Sequence, residues 1–128
     1  MPIRAFIRIL GAAALVALAA CTTPLPAPRN FTVFFLTDTA ELGPTAQQVV
    51  TQIAEAAKSS NPSRIVVSGR ADGNTAHDAS LADQRGAVVM RALVDQGVAA
   101  TRIAQQPDAP DPTRTGVAAH QVIVTLLP

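Results

Sequence analysis

The sequence has no tryptophan, no tyrosine and only four phenylalanines, so its core must be built from Val, Ile, Leu and Ala. It has a single cysteine, Cys21, which excludes an internal disulfide. One cysteine and two histidines fall short of a closed four-ligand zinc site unless carboxylates complete it, so neither metal nor cofactor is expected. Charge is sparse as well. Charged residues make up 15% of the chain and the net charge is +1, which leaves no electrostatic footprint for nucleic acid. No internal repeat is visible. No nucleophile and base stand at a catalytic spacing, so the chain reads as a binding protein and not an enzyme.

What is present begins with a leader. Arg4 and Arg8 supply a positive start, and Ile9 to Ala20 is an uncharged apolar run. The run is about a dozen residues, shorter than the roughly 20 needed to span a bilayer, so residues 1–20 read as a secretion signal. It ends Leu18-Ala19-Ala20-Cys21. Small residues before a lone cysteine resemble the lipobox of bacterial lipoproteins. That resemblance implies that Cys21 carries acyl chains such as palmitate and becomes the new N-terminus. Two or more chains hold a protein firmly on a membrane, whereas one does so marginally. The plainer alternative is a secreted protein cut at an Ala-x-Ala-like site with a spare thiol. Thr22, where an Asp would signal inner-membrane retention, leans toward the periplasmic face of the outer membrane.

Residues 21–30 form a tether, with prolines at 24, 26 and 28. At about 3.1 Å per residue its nine residues after Cys21, 22–30, reach roughly 28 Å. Residues 31–128 then form one domain, enough for one core and too few for two. Phe31 to Thr37 is aromatic and β-branched, hence a strand. Pro44 suits the first position of a helix. Val49, Val50, Ile53, Ala54 and Ala57 mark one face of that helix. Asn61-Pro62 ends it. A second strand begins at Arg64, with Ile65-Val66-Val67 as its core. Strand, helix and strand form a βαβ unit, which favours a parallel pair.

The second helix is expected to start near Asp78 to Leu81, with Ser80 and Asp83 as a capping pair. Its buried face would use Leu81, Val88, Val89, Ala92 and Leu93, and Gly97 would lie just past its end. Arg91 and Asp95 are spaced for a surface ion pair. Thr101 to Ala104 reads as a short strand, the proline-rich 108–115 as loop, and Gln121 to Leu126 as the last strand. The predicted order is β-α-β-α-β-β, an α/β sandwich with helices packed on a mixed sheet.

Several motifs are shared with one family. Phe34-Phe35 precedes Ala40-Glu41-Leu42. The second strand ends Gly69-Arg70-Ala71-Asp72. The second helix carries Leu81-Ala82-Asp83-Gln84-Arg85-Gly86, and Leu93, Gly97, Val98, Arg102 and Ile103 follow. Together these resemble the OmpA-like peptidoglycan-binding domain, which includes the Pal lipoproteins, over residues 31–126. The departures are specific. Arg70 and Ala71 replace a His and a Thr, and Asp78 replaces an Asn. Ala119 to Val124 replaces a final-strand Asn-Arg-Arg-Val-Glu-Ile signature.

The resemblance implies that Asp72 and Arg85 grip the diaminopimelate of the peptidoglycan stem peptide, with Asp78 alongside. Asp72 suits the ammonium of that residue. Arg85 can clasp its carboxylate with two parallel hydrogen bonds, which a lysine cannot do. The N-terminus of the second helix adds unpaired N–H groups. Each residue also has a plainer role. Asp72 can pair with Arg70 or accept bonds in the Gly73-Asn74 turn, Asp78 can cap a helix, and Arg85 can sit solvated on its surface. His77 and His120 read as solvated polar residues, and Arg70 as exposed. The expected function is non-covalent peptidoglycan binding by an outer-membrane lipoprotein. The alternative is an adaptor lipoprotein, without a wall ligand, docked on a protein partner in a secretion or transport assembly.

Overall fold

The computed structural model describes residues 26–70, 76–108, 113 and 115–128. Strand β1 spans Arg29–Phe34, helix α1 Pro44–Ser60, β2 Arg64–Gly69, helix α2 Ala76–Asp95, β3 Ile103–Gln105 and β4 Gln121–Leu127. Short 3-10 turns at Ala100–Arg102 and Gly116–Ala119 precede β3 and β4. This is the predicted α/β order on a mixed sheet.

The strand order is β1-β4-β2-β3. β4 lies between β1 and β2 and runs antiparallel to both. The predicted βαβ unit is therefore corrected: β1 and β2 point the same way without being neighbours, because β4 intervenes. The adjacent parallel pair is β2 with β3, joined through α2.

Period-two burial sets the faces. Val33, Ile65, Val67, Val122 and Val124 are fully buried on one side of the sheet, where α1 adds Val50 and Ile53 and α2 adds Val89 and Leu93. Each such side chain contributes roughly 1.5–3 kcal/mol by leaving water. Among the described residues the buried core runs from Val33 to Leu126, all of it within the segment 26–128. Outer-face residues Thr32, Val66, Ile123 and Thr125 are half-buried.

The helix ends follow their sequence signals. Pro44 opens α1, and Asn61, in the left-handed region at φ 48°, closes it by donating its N–H to Ala57 O. Gly97 adopts φ 94° just beyond α2. There Val98 N–H donates to Leu93 O and Gly97 N–H to Val94 O, the two bonds of a Schellman stop. The other end of α2 departs from expectation. The helix begins at Ala76, so Ser80 is interior and accepts from Gln84 Nε2 instead of capping. Val88 and Ala92 are half-buried, while Ala82, Arg85 and Gly86 are buried in the inner face of the helix. Arg91 and Asp95 are both exposed and no ion pair joins them. β1 starts at Arg29, two residues inside the predicted tether.

Candidate functional site

The site is built where β2 passes its chain to α2. Gly69 ends β2 directly against the second turn of α2. A Cβ there would stand 2.0 Å from the carbonyl oxygen of Ala82, so only glycine allows this approach. Arg70 continues the ladder by donating its N–H to Gln121 O. Its side chain pairs with Asp108, Nε to Oδ2 3.4 Å, across the top of β3. That pairing leaves the Arg70 side chain half-buried, where exposure was the expectation.

Arg85 dominates this end of the molecule. It lies one turn past Leu81 on the inner face of α2 and is 2% exposed, among the most buried side chains of the protein. Its Nε donates to Thr39 O at 2.7 Å and its Nη2 to Leu36 O at 3.0 Å. Its guanidinium also stands 5.5 Å from the centre of the Phe35 ring. A surface position was the plainer expectation, and the structure corrects it. The helix face that carries Leu81 and Val89 also carries Arg85, and the segment after β1 folds over it.

A guanidinium has five N–H donors. The side edge, Nε with Nη2, is committed to the two carbonyls. The end edge keeps one hydrogen on Nη2 and those on Nη1, which is the geometry for a second, end-on fork. Burial lowers the Arg85 pKa from its usual range, and the carboxylates of Asp38 and Asp78 pull it back up. The group remains a cation held in a setting poor in water, where an anion is attracted more strongly than at the surface.

The loop between β1 and α1 was not anticipated as part of the site. Leu36 O accepts from both Thr39 N–H and Arg85, and Glu41 N–H donates to Thr39 Oγ1. Asp38 sits at φ 55°, a left-handed conformation that Asp tolerates better than most residues. A backbone carbonyl as partner leaves no trace in side-chain identity. The signals in this stretch were Phe35, Asp38 and the Ala40-Glu41-Leu42 motif.

Of the predicted site residues, Arg85 and Asp78 fall at this end, Asp78 half-buried in the first turn of α2. Asp72 and Cys21 lie outside the described residues. His77 is exposed and His120 half-buried, the latter joining β4 to the end of β1 through its carbonyl and Phe35 N–H. Among the described residues no helix is long and apolar enough to cross a membrane.

Comparison with solved structures gives the same fold at low identity. The peptidoglycan-associated lipoprotein from Burkholderia pseudomallei is 21% identical, with a TM-score of 0.62 over 74% of this chain and 87% of that one. The cell wall anchor of the T6SS from Pseudomonas aeruginosa is 18% identical, with a TM-score of 0.65 over 78% and 81%. The OmpA-like domain of FopA1 from Francisella tularensis is 18% identical, with a TM-score of 0.64 over 77% and 71%. A comparison with curated protein sequences gives no match. The sequence profile of the OmpA family matches residues 34–121, most of the chain, and the protein belongs to that family.

Proposed function

We propose that this protein is an outer-membrane lipoprotein, anchored through Cys21, that binds peptidoglycan non-covalently through the diaminopimelate of the stem peptide. The observation that carries the reading is Arg85. Its guanidinium is buried and fixed along one edge by Leu36 O and Thr39 O, so the other edge is oriented before a ligand arrives. An oriented fork loses little freedom on binding a carboxylate. Asp72, three positions beyond the Gly69 contact, is the acid assigned to the ligand's ammonium, and Asp78 lies alongside. Nothing in this scheme breaks a bond. The names of two structural relatives, a peptidoglycan-associated lipoprotein and a cell wall anchor, support the same ligand class.

Residues 26–128, mixed with purified sacculi and sedimented, test this. Wild type goes to the pellet. Arg85→Lys, which keeps charge and loses the fork, and Asp72→Asn each reduce retention at least about tenfold, the loss of one charged hydrogen bond. Wild type remaining in the supernatant, or both variants pelleting like wild type, refutes the assignment.

A second reading is an adaptor without a wall ligand. It draws on Phe34, Leu36 and Val117, which are 54, 76 and 66% exposed at this same end of the sheet. Large exposed apolar side chains close together suit a protein partner. That reading expects an envelope protein to co-purify undiminished with the Asp72/Arg85 double variant.

A further inference from the structure

The end of the domain opposite Arg85 gathers four exposed cations. Arg29 opens β1 and Arg64 opens β2. Lys58 lies in the last turn of α1 and Arg102 in the 3-10 turn before β3. Two adjoining hollows bring Lys58, Arg102 and Arg29 together, and Arg64 stands exposed at the neighbouring start of β2. One, of about 150 Å³, is lined by Lys58, Gly97 and Arg102. The other, of about 200 Å³, is lined by Arg29, Ser60 and Leu126. Both share Asn61 and Pro62. Pairing fixes Arg29 opposite Leu126 and Arg64 opposite Leu127, so both strand starts face the same way.

Acids are few here and concentrated at the other end. Among the described residues, Asp95 closes α2 on this side, Glu55 precedes Lys58 by three positions in α1, and Pro128 lines the second hollow. Asp38, Glu41, Asp78, Asp83 and Asp108 all lie toward Arg85. The domain is therefore polarised along its strands although its net charge is near zero. Lys58 and Arg102 also complement the carbonyl ends of their helical turns. That role does not extend to Arg29 and Arg64, which begin strands.

The chain enters the domain at this basic end, where Pro26 and Ala27 line the second hollow. With the anchor proposed above, this is the face nearest the point of attachment. We propose that this end docks on anionic phospholipid headgroups, holding the Arg85 end away from the membrane. The position of the membrane rests on the anchor assigned above, whereas the affinity of the face for lipid is testable without it.

The test is sedimentation of residues 26–128 with phosphatidylcholine vesicles, with and without phosphatidylglycerol. Pelleting should depend on phosphatidylglycerol. It should vanish as salt rises from about 0.1 to about 1 M, where the screening length falls from about 10 to about 3 Å. Lys58→Gln and Arg64→Gln should each weaken it about fivefold, the usual worth of one basic side chain near an anionic surface. Arg70→Gln, the same charge change at the other end, should alter it by less than about twofold. Equal pelleting with neutral vesicles, or an Arg70→Gln loss as large as the other two, overturns the proposal. So does retention on soluble polyglutamate as firm as on vesicles, which would assign the face to an acidic protein. Sacculus retention separates the two readings: Lys58→Gln and Arg64→Gln leave it unchanged, and Arg85→Lys leaves vesicle binding unchanged.

Discussion

Replacing Arg85 by methionine keeps most of the side-chain volume and removes the guanidinium. Two charge-assisted hydrogen bonds disappear, from Nε to Thr39 O and from Nη2 to Leu36 O. Each is worth about 1.5–3 kcal/mol. Two effects oppose that loss. Methionine carries no charge to desolvate, and replacing a buried charge by an apolar residue is often neutral when its partner leaves with it. Here the partners are backbone carbonyls, which stay. Leu36 is exposed and Thr39 half-buried, so water recovers part of their hydrogen bonding. The balance is a loss of about 2–4 kcal/mol, at the upper end if the loop 36–43 stays closed and at the lower end if it opens. For a domain of about 100 residues this lowers the melting temperature by about 10–25 °C. Urea denaturation followed by circular dichroism measures it, and amide exchange locates it. Amides of the loop between β1 and α1 should exchange faster than those of β4. Stability within about 0.5 kcal/mol of wild type, with unchanged exchange in the loop, would show that the two carbonyl bonds do not hold this end together.

Other substitutions probe single features. Gly69→Ala places a Cβ 2.0 Å from Ala82 O, so β2 and α2 must separate. A cost of about 1–3 kcal/mol in denaturation is expected, with weaker sacculus binding as the helix shifts. Gly97→Ala forces a side chain into φ 94° and should destabilise by about 1 kcal/mol without altering sacculus retention. Leu93→Ala empties a fully buried site beneath the Schellman stop and should cost about 2–5 kcal/mol by the same measurement. Asp108→Asn removes a partly exposed ion pair with Arg70, and thermal melts should move by no more than about 1 kcal/mol.

Periodicity made the elements readable. Alternation in 121–126 and the three-and-four spacing of Val50, Ile53, Ala54 and Ala57 are direct images of a sheet face and a helix face. Pro44 and Gly97 marked helix ends because one lacks an N–H and the other tolerates a positive φ. Pairing was not readable in the same way. A buried strand of Val and Ile looks alike between two neighbours or at an edge, so the insertion of β4 between β1 and β2 left no local mark. The start of α2 was misjudged because Ser80 and Asp83 form a plausible cap wherever they fall, and Ala76 announces nothing. At the site, Arg85 was legible as a residue and not as an environment. Its burial depends on carbonyls supplied from more than forty positions away, and a carbonyl is the same on every residue.

The antiparallel contact between β1 and β4 covers six residue pairs, from Arg29 opposite Leu126 to Phe34 opposite Gln121. Tension entering at the start of β1 and resisted through β4 would run lengthwise along the seam between them. The rungs would then strain together, as stitches in a lap seam do, and would not open in succession like a zip. Arg85 fastens the far end of the seam. A pull on the start of β1 would thereby be resisted by all six pairs at once.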